Sequence, residues 1–197
     1  MMKMISSITL SLGLLVVSSC AHKRDKDEHC QKCEDSQADK YLSFVGPDVK
    51  IGDLSAKTFK HMSFAAQPSQ KDLAAAKAMG YEVIINLRPA SDVKWDVADE
   101  VKKNGMTYYN VPLLDKSEEI DVTAVMKLEK IHKDTHGQKQ LIYCSTGNRA
   151  AAWMAAHLMV KHDLSAAESI KVARKLGLTK PELEEKIQRL ENKLRSL

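Results

Sequence analysis

The apolar positions of the chain fall into alternating helix-like and strand-like periods from about residue 41 onward. The start is weak: Asp53-Leu54 and Phe59 to Phe64 carry only short strand-like or turn segments. Pro68-Ser69-Gln70-Lys71-Asp72 then opens a helix, with Ser69 placed to cap it, Leu73, Ala76, Lys77 and Met79 continuing it and Gly80 ending it. Tyr81 to Leu87 is a β-branched apolar run and reads as a buried strand. Ser91 to Asn104 reads as an amphipathic helix ending at Gly105, Met106 to Leu114 as a strand, and Val122 to His136 as a helix closed by Gly137. Gln140-Leu141-Ile142-Tyr143 is a short central strand, followed by an Ala-rich helix from Asn148 to His162. Ser165-Ala166-Ala167-Glu168 has the form of a capping box, and Thr179-Lys180-Pro181-Glu182 repeats it at the head of the last helix. There Leu183, Ile187, Leu190, Leu194 and Leu197 form an a/d seam, too short for a coiled coil alone and read as packing on its own domain. The alternation predicts an α/β fold: a mostly parallel central sheet flanked by helices over 41–178, with a C-terminal amphipathic helix over 179–197.

Before residue 41 the pattern differs. Met1 to Lys3 is a short basic start, Ile5 to Val17 is mostly apolar, and small residues precede Cys20. The run is too short to span a bilayer and has the proportions of a secretory leader over 1–19. Val17-Ser18-Ser19-Cys20 resembles a lipobox, which implies lipidation at Cys20 and a membrane anchor there. Ala21 follows, with no Asp to signal inner-membrane retention, so the expected location is the outer membrane, facing the periplasm. Residues 20–40 are charged, lack hydrophobic periodicity and read as a flexible linker. Cys30 and Cys33 lie within it. A haem site would need His where Glu34 stands, and a zinc site would need two further ligands near His22 and His29. A local disulfide in an oxidising compartment is the favoured reading.

Composition narrows the function classes. Of the 197 residues, 44% are hydrophobic and 28% charged, which suits one globular core. The net charge of +4, with no patch of interleaved aromatic and basic residues, argues against a nucleic-acid partner. No metal or cofactor is called for, and the domain reads as a monomer.

The chemistry gathers at Cys144-Ser145-Thr146-Gly147-Asn148-Arg149, between the central strand and the Ala-rich helix. A cysteine there faces the positive pole of the next helix, and Arg149 is close; both favour thiolate over thiol. Gly147 lets the loop curl until its backbone N–H groups point inward, a nest for a tetrahedral anion, and Arg149 can clamp two of the anion's oxygens. Ser145, Thr146, Gly147, Asn148 and Arg149 are thus the candidate anion ligands. A buried cysteine can be mere packing, but packing requires no polar, Gly-bearing loop at a helix start.

This loop resembles the signature loops of cysteine-dependent phosphatases and of rhodaneses. Gln67-Pro68-Ser69 and Gly80 to Arg88 resemble the first helix and strand of dual-specificity-type phosphatases, and most closely the bacterial DUF442, or beta-lactamase-hydrolase-like, group. Tyr109 to Asp115 resembles that group's next strand and general-acid loop. The resemblance spans roughly Ile51 to Gly177. It implies Cys144 as nucleophile, Arg149 as phosphate clamp and Asp115 as general acid. Asp121 is a rival that reads better as a helix cap, and Arg88 reads as part of a structural ion pair.

Three departures stand out. Only four residues separate Cys144 from Arg149, one fewer than in the usual phosphatase loop, a length that rhodaneses and the DUF442 group share. Tyr143 replaces the usual His, and Ala150 replaces the Ser or Thr that helps the cysteine leave. Three functions follow: a phosphatase working through a Cys144 phosphoenzyme, a sulfurtransferase working through a Cys144 persulfide, or an anion-binding lipoprotein with a degenerate site. The substrate is accordingly a phosphorylated or sulfur-bearing anion. No second basic cluster is visible beside the loop to suggest a polyphosphorylated ligand.

Overall fold

The computed structural model describes residues 37–92 and 95–196. The leader, Cys20, Cys30 and Cys33 lie outside the described residues.

Six strands form one sheet in the order β1-β2-β3-β6-β4-β5. They are β1 (Val45–Ile51), β2 (Leu54–Phe59), β3 (Met62–Ala65), β4 (Val83–Asn86), β5 (Thr107–Asn110) and β6 (Gln140–Tyr143). The first three make an antiparallel meander, while β3, β6, β4 and β5 are parallel neighbours. β4 and β6 are buried at every position, as the helices on both faces of a parallel sheet require. The one polar residue of β6, Gln140, is satisfied by Thr135 and His132.

Two helices cover one face: α1 (Gln70–Ala78) and α2 (Val97–Lys103). Leu73, Ala76, Val97 and Val101 meet Ile84, Leu141 and Tyr143 there. The other face carries α3 (Val122–Asp134), α4 (Asn148–His162), α5 (Ala166–Lys175) and α6 (Pro181–Arg195). Its core joins Val83, Ile85 and Ile142 to Trp153 and the alanines of α4. α4 lies innermost, packed on the sheet, α3, α5 and α6, and its buried alanines let it come close to its neighbours. The seam residues Leu183, Ile187 and Leu190 of α6 are buried in this same core.

The cap expected at Ser69 and the capping box expected at Ser165 both form, and Ser69 too completes a capping box. In the first, Asp72 does more than cap. Its Oδ1 accepts from the N–H groups of Asp53 and Leu54 at 2.8 and 3.2 Å, tying the β1–β2 turn to α1. Burial pushes this carboxyl up, but its hydrogen-bond donors outweigh burial and hold it below the ordinary range.

Several sequence expectations are corrected. Strand β1 was not expected; Gly46 and Pro47 disfavour a strand interior, but β1 is an edge strand with an irregular register at Gly46 to Val49, where Pro is tolerated. The helix expected from Ser91 begins only at Val97, since Asp96 is its cap, and a 3₁₀ turn occupies Ala90–Asp92. The strand expected to reach Leu114 ends at Asn110, before Pro112. Thr179 does not cap the last helix: Lys180 holds the N-cap position without a side-chain cap bond, and Pro181 begins the helix.

Histidines cluster around the β3–β6 end of the molecule. His61 stacks on His132 at 5.4 Å, His132 meets His157 at 5.1 Å, and His157 bonds the buried carboxylate of Glu129 at 3.0 Å. Burial lowers the pKa of His61 and of His132, and neighbouring histidines lower both further. The unfolded chain therefore takes up protons first as pH falls. Stability is unaffected well above the unfolded value of about 6.5 and declines as pH drops through it toward the lower folded values. Urea midpoints should fall between pH 7 and pH 5.5, and His132→Gln should flatten that slope; a flat wild-type profile would contradict this account.

Candidate active site

The loop after β6 is built by its neighbours. The Cys144 N–H donates to the Ala65 carbonyl at 3.3 Å, extending the β3–β6 ladder by one step. Gly147, with φ of +91°, is the N-cap of α4 and makes no side-chain cap bond. A Cβ there would sit in ordinary contact with the Ala65 backbone at 3.4 Å, so it is the left-handed conformation that selects glycine.

Cys144 is 1% exposed and forms the floor beneath this curl. The Gly147 N–H donates to Sγ at 3.1 Å. Burial pushes the thiol up, but the backbone N–H groups of Thr146, Ala150 and Arg149 and the Arg149 charge outweigh it, leaving the pKa below the ordinary cysteine value. The amino end of the 15-residue helix α4 adds to the same field.

Arg149 bonds the Ser145 hydroxyl through Nη2 at 3.1 Å. Asn148 turns away from the anion position. Its Oδ1 accepts from the Thr179 N–H at 2.7 Å, the Thr179 hydroxyl at 3.2 Å and the Lys180 N–H at 3.1 Å. Its side chain is thus a clasp between the loop and the head of α6, leaving only its backbone for an anion. Thr146 pairs with Ala66 in an isolated bridge and accepts from Asn148 Nδ2 at 3.3 Å. Neither the Ser145 nor the Thr146 hydroxyl is bonded to Sγ, so nothing here replaces the hydroxyl that Ala150 lacks. Tyr143 faces the opposite side of the sheet, among Leu141 and Ile84, where burial drives its phenol up and keeps it neutral.

An open cleft of about 460 Å³ lies over the loop. Ser145, Thr146, Asn148 and Arg149 form one wall, Leu114, Asp115 and Glu118 another, and Lys180, Glu182, Leu183 and Lys186 of α6 and its lead-in a third. Asp115 is thus brought to the same cleft as the loop. Its Oδ1 accepts from the N–H groups of Ser117 and Glu119 at 2.8 and 3.0 Å and from the Ser117 hydroxyl at 2.9 Å. Led by the Glu119 N–H, these bonds hold its carboxyl below the ordinary range. Asp121 caps α3 through the Thr123 N–H, as expected.

Two readings are corrected. Among the described residues Arg88 makes no ion pair: Nη1 donates to Gln67 Oε1 at 2.8 Å and Nη2 to the Asp92 carbonyl at 2.7 Å, both neutral acceptors. There is also a basic contribution beside the loop, because Lys180 and Lys186 line the cleft. No local pattern signals this, since they arrive from more than thirty residues downstream. Asp92, Asp115, Glu118 and Glu182 line it too, so the cleft is mixed in charge rather than basic throughout. Among the described residues, no group of three or more His, Cys, Asp or Glu side chains is arranged to hold a metal, and no helix is long and apolar enough to cross a membrane.

Similar architectures exist among solved structures. A mutant form of Tk-PTP matches with a TM-score of 0.61 at 20% identity, covering 72% of this chain and 97% of that one. A DUF442 protein from Shewanella putrefaciens CN-32 matches at 0.58 and 18%, covering 80% and 94%. The fold is phosphatase-like. Kinase associated phosphatase, in a form with its catalytic-site cysteine replaced by serine, shares this phosphatase fold at 0.61 and 17%, covering 69% and 88%. No protein-family model matches the chain, and no curated protein matches it in sequence. At such identities the likeness is one of fold.

Proposed function

We propose that the chain is a cysteine-dependent phosphatase acting on phosphate monoesters. One observation carries this reading: a buried thiol with a depressed pKa lies at the floor of an amide-lined loop, with Arg149 at its rim and Asp115 on the facing wall of the same cleft. The solved structures with this fold support it, among them a phosphatase whose catalytic-site cysteine was replaced by serine in the structure.

The reaction runs in two steps. The Cys144 thiolate attacks phosphorus; the S–P bond forms as the ester P–O bond breaks, and Asp115 gives its proton to the departing oxygen. Water then attacks phosphorus, Asp115 takes its proton, and the S–P electron pair returns to sulfur as inorganic phosphate leaves. Arg149 and the loop N–H groups hold the phosphoryl oxygens throughout. Because Asp115 is charged at rest, it must first take a proton, and the like charge of a bound phosphate raises its pKa toward that state. With Ala150 offering no hydroxyl to the leaving thiolate, the second step is the slow one.

Persulfide transfer would use the same thiol and the short loop, but it needs no acid on the facing wall. Phosphate release from an aryl phosphate by the reduced full chain, run beside thiosulfate exposure with intact-mass readout, separates the two. The phosphatase reading expects phosphate release and no sulfur added to Cys144. Sulfur gain without phosphate release would overturn it. We further propose that lipid at Cys20 tethers this domain to the periplasmic face of the outer membrane. Incorporation of labelled palmitate that disappears in Cys20→Ser tests that tether, and unchanged labelling would refute it.

A further inference from the structure

Helix α6 lies beyond the stretch that resembles phosphatases in sequence, yet it touches both loops of the proposed chemistry. Its head is clasped by Asn148, from within the Cys144 loop. Midway along it, Arg189 grips Glu119 with two bonds, Nη2 to Oε1 at 2.8 Å and Nε to Oε2 at 3.1 Å, and Lys193 lies 3.9 Å from the same carboxylate. Lys186 donates to the Glu118 carbonyl. Glu119 and Asp115 are in turn bonded twice: the Glu119 N–H donates to Asp115 Oδ1 at 3.0 Å, and the Asp115 N–H donates to the Glu119 carbonyl at 2.9 Å.

One helix therefore spans from the nucleophile's loop to the acid's loop. Its own position is set by Leu183, Ile187 and Leu190 in the core, not by these polar ties. We propose that α6 is a brace that fixes Asp115 over Cys144, with Arg189 and Glu119 as its positioning pair. The inference rests on reading Asp115 as the proton donor.

Isolated exposed ion pairs contribute little to global stability, and Arg189 and Glu119 are 48% and 25% exposed. The pair matters for placement. A bidentate guanidinium fixes the direction of the carboxylate as well as its distance, which a lysine does not. A displacement of about 1 Å at a reacting group can cost on the order of 100-fold in rate.

The test uses the full chain as Arg189→Ala, Arg189→Lys, Glu119→Gln, Asp115→Asn and the Arg189→Ala/Asp115→Asn double variant. Two esters are compared by kcat/KM, which reports the first step alone: a nitrophenyl phosphate, whose leaving group departs without a proton, and an alkyl phosphate, whose leaving group needs one. Arg189→Ala and Glu119→Gln should speed amide hydrogen exchange over residues 115–119 and cut alkyl-ester hydrolysis about tenfold or more, with little change on the nitrophenyl ester. Arg189→Lys should fall between, and the double variant should lose no more than Asp115→Asn alone. Unchanged exchange, or equal losses on both esters, overturns the brace. If Asp115→Asn separates the two esters and Arg189→Ala does not, the brace alone has failed. If Asp115→Asn does not separate them, the proton-donor reading has failed and the brace falls with it.

Discussion

Cys144→Ser should abolish phosphate release, by on the order of 10⁴-fold or more, the scale of loss when a covalent nucleophile is removed. The substitution is nearly isosteric, and the site would keep its Gly147 N–H contact, so thermal unfolding should shift little. What disappears is the nucleophile. At this position the loop amides and Arg149 sustain a thiolate, whereas a serine hydroxyl has no base within the loop to take its proton. Arg149→Lys should show the complementary loss. A lysine retains the charge but not the fork, and about 100- to 1,000-fold in kcat should go with the bidentate contact to the equatorial oxygens. Steady-state release from an aryl phosphate checks both, with the melting temperature of each variant as control. Retention of even a tenth of the activity in Cys144→Ser would remove the cysteine from the chemistry.

Asp115→Asn should cost about 100- to 10,000-fold in kcat/KM on esters with poor leaving groups, the usual contribution of a positioned acid, and far less in kcat/KM on nitrophenyl esters. The pH dependence follows from its environment. Its carboxyl is held below the ordinary carboxylate range by the Glu119 N–H, the Ser117 hydroxyl and the Ser117 N–H. The protonated form therefore grows only as pH falls, and kcat/KM for alkyl esters, which reports the first step, should rise toward acid. Asp115→Asn should flatten that rise while leaving the Cys144 limb, set by thiolate formation, in place. An unchanged profile in the variant would assign Asp115 to loop shaping alone, a role its Oδ1 already fills.

The parts legible in the sequence are those whose causes are local. β4 and β6 announce themselves as short apolar runs, because a strand buried on both faces has no polar side to show. Ser69 and Ser165 mark helix starts because a cap and its partner lie within four residues. The Cys144 loop is visible for the same reason: strand, Gly-bearing polar turn and Ala-rich helix are contiguous.

What stayed hidden depends on contacts between distant segments. Strand β1 owes its pairing to β2, not to its own composition, which contains Gly46 and Pro47. Thr179 has the sequence form of a cap, yet it is claimed by Asn148 from thirty-one residues upstream. Arg88 meets neutral acceptors because Gln67 and the Asp92 carbonyl are the groups the fold delivers to it. The role of α6 in the cleft is the largest such case. Its apolar seam was readable, but its polar face acquires meaning only once Glu119 stands opposite Arg189.

The most direct measurement of the central claim is capture of the covalent intermediate. The full chain is mixed with excess aryl phosphate, quenched in acid within the first turnover, digested and mapped by mass. With no Ser or Thr hydroxyl at Ala150 to assist the second step, phosphate should accumulate on the peptide carrying Cys144, preceded by a burst of aryl alcohol, and be absent from Cys144→Ser. Phosphate release without any phosphate on Cys144, or a burst that persists in Cys144→Ser, would contradict the account.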